Sequence, residues 1–355
     1  MNDLIKLVGS HFIFGLEGTS VSDKTLSFIK KFQPAGFILM GHNCESPEQI
    51  FNLTTSLQKA SVEPLLMCVD QEGGRVKRLK SPFLQFPPAS HLGQKNSPKL
   101  VFEAALSLAD ELRSVGINLD FAPVCDVLTN PKNEVIGDRA YASDLDVASA
   151  LSSAMTRGLQ KANVLACAKH FPGHGDTFVD SHIDLPRVST SLEVLSTREF
   201  VPFKKCIKSG VASIMTAHVM CNDLDEKYPS TLSKKTLDLL NYDLRFRGLI
   251  ISDDMNMGAL SKNYGEEEAL IGATQAGIDL LLYCDFDPSH HENVFEVLLK
   301  HAERQRDFQE KLHLSDEKLR KKRIEFQLSL PPKKDEWQKI IGCESHRKIE
   351  FQLSA

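Results

Sequence analysis

The chain has 355 residues, a formal net charge of −5, 42% hydrophobic and 25% charged residues, the make-up of an ordinary soluble globular protein. That balance excludes a disordered chain, a small disulfide scaffold and a polyanion binder, since contacts to nucleic-acid phosphates draw on a basic footprint. Length alone suggests two domains, although α/β barrels routinely hold more residues in one.

The first nine residues carry one early lysine and no long apolar stretch, so no signal peptide is expected. No later run approaches the roughly 20 apolar residues of a membrane helix. Eight apolar runs then predict strands, at His11–Gly15, Gly36–Met40, Pro64–Asp70, Asn118–Val127, Val164–His170, Ser213–Val219, Gly248–Asp254 and Asp279–Cys284. Between them, amphipathic patterns predict helices over Ser46–Ala60, Leu100–Val115, Asp144–Ala162, Thr197–Ser209, Ser233–Leu244 and Glu266–Gly277. Continuous apolar strands alternating with helices imply a parallel sheet covered by helices. Eight such units predict an α/β chain of the (β/α)8 TIM-type barrel class. The competing doubly wound sheet wants a G-x-G-x-x-G turn after an early strand, and the chain has none.

The expected organisation is one catalytic barrel over 1–310 and a short helical tail over 311–355. The tail holds a near-repeat, "KRIEFQLSL" at 322–330 and "RKIEFQLSA" at 347–355, with no partner elsewhere. Nothing assigns that repeat a catalytic role. The eight cysteines are scattered, without a C-x-x-C pair, and four sit in apolar runs. They read as reduced thiols in a cytoplasmic protein.

Chemistry-bearing residues gather at the ends of the strand runs. Asp70, Asp126, Lys169–His170, His218 and Asp253–Asp254 all fall there. In a barrel these ends share one C-terminal mouth, where loops build active sites. The stretch "AKHFPGHGDTFVDSHIDLP", 168–186, carries His170, His174, Asp176, Asp180, His182 and Asp184. A metal site is one reading, weakened by the lack of an H-E-x-x-H helix. A general acid/base is another. Asp180 and His182 stand two apart, so in extended backbone they share a face, and a carboxylate beside an imidazole favours its protonated form. A plain solvated loop is the third. In "GLIISDDMNMGAL", 248–260, one aspartate can act as nucleophile while Asp254 caps the next helix.

Taken together, "GFILMGHN" (36–43), "DQEGGRVKR" (70–78), "FAPVCDV" (121–127), "IGDRAYASD" (136–144), "KHFPGHGDTFVDSH" (169–182) and "ISDDMNMGA" (251–259) resemble glycoside hydrolase family 3, in its single-domain bacterial β-N-acetylglucosaminidase branch. The resemblance covers roughly 10–290. It implies a retaining exo-glycosidase acting on terminal β-linked N-acetylglucosamine, with muropeptides of cell-wall recycling as substrates. Asp253 would be the nucleophile, His182 the acid/base and Asp180 its partner. Asp70, Arg78, Arg139, Lys169 and His170 would hold the sugar, with Asp126 and His218 behind them. Asp120 would belong to the core rim, and His174 and Asp176 would shape the loop. A mobile Gly173–Gly175 segment would let His182 swing. The chain departs from the family pattern at His42 and at Ala140–Tyr141. No metal or cofactor is implied, no nucleic-acid or membrane partner, and a monomer is expected. A histidine acid/base does not repel an incoming anion, so a β-N-acetylglucosaminide phosphorylase stays open, as does another family 3 β-glycosidase.

Overall fold

The computed structural model describes residues 2–177, 185–329, 331–333 and 335–355. Each predicted apolar run holds a strand: β1 (Phe12–Phe14), β2 (Gly36–Leu39), β3 (Leu66–Val69), β4 (Leu119–Asp120), β5 (Leu165–Phe171), β6 (Ser213–Thr216), β7 (Leu249–Asp254) and β8 (Leu280–Tyr283). Every strand pairs in parallel with its neighbours in sequence, and β8 closes onto β1 with Phe12 opposite Leu281. The result is the expected closed eight-stranded barrel.

Side chains alternate between the two faces of a strand, and both faces here are apolar. Ile13, Ile38, Cys68, Phe121, Cys167, Met215, Ile251 and Leu282 fill the barrel interior. Phe37, Leu39, Met67, Val69, Ala166 and Ala168 face the helices. This double burial is why the strands read as unbroken apolar runs instead of alternating ones.

Local chemistry sets the helix boundaries. In α1 (Pro47–Ala60) and α2 (Pro98–Ser114), a serine N-cap accepts a backbone N–H and proline takes the first turn, where its missing N–H costs nothing. Asp144 caps α3 (Leu145–Lys161) in the same way. The helix predicted over Thr197–Ser209 is interrupted. One helix ends at Thr197, Arg198 leaves helical geometry with φ −125° and ψ −77°, and α4 (Phe200–Lys208) restarts. At the break the Arg198 guanidinium lies 2.6 Å from Glu199 and 3.1 Å from Asp176, so ion pairing below the β5 loop outweighs helix continuity. Ser233–Leu244 becomes a short helix, Lys234–Asp238, followed by a wider π-type turn. Next, α5 (Glu266–Ala276) ends at Gly277, whose φ of 118° needs glycine. Helices Asn2–Gly9 and Asp23–Phe32, and α6 (Pro288–Arg304), are further elements.

The C-terminal region is helical, with α7 (Arg306–Glu325) and α8 (Glu344–Ser354). Leu319, Phe326 and Leu328 join the cluster that fills the barrel interior, so this region seals the N-terminal end opposite the mouth. Buried Asp279 anchors it, 2.9 Å from Lys318 and accepting from Ser315 at 3.0 Å. The two copies of the near-repeat adopt different structures. In the first, Phe326 and Leu328 are buried; in the second, Leu353 is buried and Phe351 is 74% exposed. Packing context, not local sequence, decides which residues of the string turn inward.

Candidate active site

The mouth is built first by the turn after β3. Gly73 and Gly74 have φ of 102° and 55°, and a Cβ at Gly73 would stand 2.5 Å from Phe86 Cβ. The turn therefore requires glycine. Gln71, buried, accepts the backbone N–H groups of Arg78 at 2.9 Å and Leu79 at 3.0 Å. The chain is folded back so that Arg78 donates to Asp70 Oδ2 at 3.1 Å. Behind it, Asp120 Oδ1 accepts from the Gln71 N–H at 2.9 Å, and burial raises the Asp120 carboxyl to about 7.

Lys169 rises from the end of β5 into this turn. Its ammonium lies 2.8 Å from Asp70 Oδ1 and 2.6 Å from Glu72 Oε1. Arg139, in the 3-10 turn Gly137–Arg139, grips Glu72 through Nε at 2.9 Å and Nη2 at 2.8 Å, and Nη2 also stands 3.3 Å from His170 Nε2. Burial penalises the Glu72 charge, but Lys169 and Arg139 overcome it and hold the carboxyl well below its usual range. Burial likewise opposes the Lys169 charge, and Asp70 and Glu72 raise the ammonium above its usual value. The array alternates in sign: Arg78, Asp70, Lys169, Glu72, Arg139.

His170 is held from behind. Its Nδ1 lies 2.7 Å from Asp126 Oδ2, which leaves Nε2 facing Arg139. Asp126 Oδ1 also accepts the His174 N–H at 2.7 Å. Asp126 is fully buried yet held below the usual carboxylate range, the burial cost being outweighed by His170, His174 and those N–H bonds.

The paired aspartates close β7. Asp253 Oδ1 accepts the Asp254 N–H at 2.8 Å. Burial works against its charge, and His170, His218, that N–H and Lys169 more than offset it, so Asp253 stays ionised below its ordinary range. Burial drives Asp254 the other way, to about 6. Adjacent carboxyls with opposed shifts are the mark of divided roles. Asp254 Oδ1 accepts the N–H groups of Asn256 and Cys284, both at 3.1 Å. The expected helix cap is thus replaced by a tie between β7 and β8, and the next helix starts after Met257 without a side-chain cap. His218 steadies the end of β7 by donating from Nε2 to the Asp254 carbonyl at 3.0 Å.

The structure therefore brings together Asp70, Arg78, Arg139, Lys169, His170 and Asp253, with Asp126 and His218 directly behind them. Asp180 and His182 lie outside the described residues. The residues leading up to them, 174–177, are described and held by hydrogen bonds. Asn133 Nδ2 donates to the His174 carbonyl at 2.7 Å, Asn130 Nδ2 donates to the Thr177 carbonyl at 3.0 Å, and Asp176 accepts from Thr129 and Thr190 at 3.1 Å and 2.7 Å. A Cβ at Gly175 would stand 1.7 Å from the Val127 carbonyl oxygen. That glycine serves close approach.

Glu72 is the site residue the sequence reading missed. It stood inside the quoted "DQEGGRVKR" string, one residue from the glycine turn. A signal was there: the assigned sugar-holding set had three cations, Arg78, Arg139 and Lys169, against the single acid Asp70. His42 is structural, donating from Nε2 to the Leu16 carbonyl at 2.9 Å and meeting Phe286 edge-on at 5.3 Å. Tyr141 is buried. Among the described residues no group of three His, Cys, Asp or Glu side chains could hold a metal, and no helix is long and apolar enough to cross a membrane.

Comparison with known proteins gives a consistent result. The model of the glycosyl hydrolase family 3 N-terminal domain matches residues 6–313. A β-hexosaminidase of Nitrosomonas eutropha is 36% identical over 294 residues, covering 80% of this chain and 82% of the relative. The solved structure of a family 3 β-N-acetylglucosaminidase from Paenibacillus sp. str. FPU-7 superposes with a TM-score of 0.92 at 32% identity, over 99% of this chain and 68% of that one. NagZ from Neisseria gonorrhoeae, solved with N-trifluoroacetyl-D-glucosamine, superposes with a TM-score of 0.80 at 26% identity, over 97% of each chain.

Proposed function

Because the chain belongs to glycosyl hydrolase family 3, and so is a glycoside hydrolase, we propose that it is a retaining exo-β-N-acetylglucosaminidase that releases terminal β-linked N-acetylglucosamine. Muropeptides of cell-wall recycling are the proposed substrates, with the cytoplasm as the place of action, a monomer as the working form, residues 1–310 as the catalytic unit and 311–355 as its tail. One observation carries this reading. Asp253 stands at the end of β7 in the mouth, where a charged, hydrogen-bonding array starts at Lys169 and His170.

The residues divide the work. A sugar ring offers several hydroxyls and one acetamide, and alternating donors and acceptors suit such a ligand. Asp70, Arg78, Arg139, Lys169 and His170 would hold it, with Glu72 neutralising the cations when the site is empty. Asp253 would attack the anomeric carbon while His182, protonated beside Asp180, gives its proton to the departing oxygen. A glycosyl ester on Asp253 results. Water then attacks the same carbon, His182 takes the water proton, and Asp253 leaves as carboxylate. Two inversions give net retention.

The test is turnover of a chromogenic N-acetyl-β-glucosaminide, with product analysis in phosphate-free and phosphate-containing buffer. Free β-N-acetylglucosamine in both buffers supports the reading. A sugar 1-phosphate in the second would replace the hydrolase with a phosphorylase. Equal turnover of the plain β-glucoside would remove the N-acetyl specificity.

A further inference from the structure

The rim above β1 carries an aromatic ring that takes no part in bond cleavage. Along β8 the side chains alternate. Leu280 and Leu282 fill the barrel interior and Cys284 packs against them, while Leu281 and Tyr283 face the helices. Asp285 continues the outward series and meets His290 and His291 of α6 at 3.0 Å and 3.2 Å. Phe286 is next in the inward series, just past the strand and on the side of the mouth. Its ring meets that of His42, in the turn after β2, edge-on at 5.3 Å. β2 and β8 flank β1, whose outer side is occupied by Phe14 packed on Phe28 and His291. The Phe286–His42 pair thus bridges the inner rim over the end of β1.

This rim borders the catalytic groups. Burial raises the Cys284 thiol, Asp254, Asp70 and Asp253 raise it further, and Arg78 opposes them. Cys284 is therefore within electrostatic reach of Asp253 and of the Arg78 end of the array. Half-buried Met40 packs on the same interior cluster from β2.

A single exposed ring on a protein surface needs no explanation by itself. This one is held in place. Phe286 is 52% exposed, yet the backbone around it is fixed. The Asp285 carboxylate accepts the Asp287 N–H at 3.1 Å and the Asn256 amide at 2.7 Å. A Cβ at Gly15 would stand 2.3 Å from the Asp285 carbonyl oxygen, so the loop after β1 abuts it. His42 is fixed in turn by its bond to the Leu16 carbonyl. An aromatic side chain held this way loses little freedom when a ligand covers it.

The depth of the groups says what covers it. The side chains of Lys169 and Asp70 are 3% and 15% exposed, so a terminal sugar held there lies low in the mouth and the next ring stands at the rim. A pyranose presents a face of C–H groups with its hydroxyls at the edge. That face packs on an aromatic ring while the hydroxyls stay in water.

We propose that Phe286, steadied by His42, is the specificity-determining platform for the sugar ring attached to the terminal N-acetylglucosamine, so that sugar aglycones are preferred over small alkyl ones. His42 is a positioning residue that acts through Phe286. The proposal rests on the glycosidase reading and adds which aglycones the mouth selects.

The test compares kcat/KM for cleavage of N,N′-diacetylchitobiose and of methyl N-acetyl-β-glucosaminide. Both leaving groups are alkoxides with the same need for a proton, so the ratio of the two isolates the contact. In Phe286→Ala the ratio of disaccharide to methyl glycoside should fall about 3- to 10-fold, the worth of one aromatic contact, with the methyl glycoside unchanged. Phe286→Trp should keep the ratio. His42→Ala should lower it less than Phe286→Ala does, and should have no further effect in the double variant. An unchanged ratio in Phe286→Ala, or Phe286→Trp behaving as Phe286→Ala, overturns the platform and leaves the glycosidase reading in place. A wild-type chain that cleaves neither substrate overturns both.

Discussion

Glu72 grips Arg139 with both carboxylate oxygens, at 2.9 Å and 2.8 Å, and holds the Lys169 ammonium at 2.6 Å. Two cations from separate loops thus meet on one buried acid. Removing it takes the ion pair from Arg139 and leaves Lys169 with Asp70 alone, and breaking a buried pair of this kind typically costs about 3–5 kcal/mol. Glu72→Ala should lose stability of that order, read by urea unfolding at pH 7. The same pair gives a pH dependence. The Glu72 carboxyl is held below its usual range, so its stabilisation is present above the unfolded value of about 4.3 and is lost as pH falls through the depressed folded value. Wild type should weaken below about pH 4 more steeply than Glu72→Ala. Parallel acid unfolding curves would contradict this.

Asp253→Ala should lower kcat/KM for N-acetyl-β-glucosaminides by several orders of magnitude, because the attacking group itself is gone. Binding of N-acetylglucosamine should survive, since the Lys169 array is untouched. Calorimetry on the variant separates the two effects. A variant that keeps near wild-type turnover would remove Asp253 from the nucleophile role.

His182→Ala should lose activity in a way that depends on the leaving group. An aryl group that departs as a stable anion needs no proton, so its glycosylation step should be nearly preserved. An alkyl or sugar leaving group should be turned over far more slowly. Equal losses on both, measured as kcat/KM, would take the acid role from His182.

Gly175 faces the Val127 carbonyl, and a Cβ there would stand 1.7 Å from that oxygen. Because the obstacle is backbone, Gly175→Ala must displace the segment 173–177 against Val127, at a cost of about 1–3 kcal/mol. Its kcat should fall more than its affinity for N-acetylglucosamine, since Lys169 and His170 precede the displaced segment. Wild-type stability and kcat in the variant would show that the approach is not tight.

His346 binds the buried Glu111 carboxylate at 2.8 Å and pins α8 to α2. The hydrogen bond to Glu111 raises the imidazole above 6.5. Its contribution is therefore full below the unfolded value of about 6.5 and lost as pH rises through the folded one. Hydrogen exchange in 344–354, corrected for the intrinsic pH effect, should quicken as pH rises past neutrality. Exchange in His346→Gln should lack that step.

The barrel was legible because its strands are buried on both faces. All eight apolar runs became strands, and their ends marked the mouth. Helices with explicit caps, at Ser46 and Asp144, also read correctly. What escaped was tertiary. The break at Arg198 depends on Asp176, distant in sequence, and the role of Glu72 depends on Lys169 and Arg139. The twin strings at 324–329 and 349–354 are the sharpest case, since identical residues bury Phe326 in one place and expose Phe351 in the other.

The central claim is a covalent glycosyl ester on Asp253. Its most direct test is mass spectrometry of the chain after incubation with a slow-turnover, fluorinated N-acetyl-β-glucosaminide bearing an activated leaving group. The account predicts one added sugar per chain, located on Asp253 within the peptide 248–260 and absent from Asp253→Ala. Release of the leaving group without any adduct, or an adduct on another residue, would contradict it.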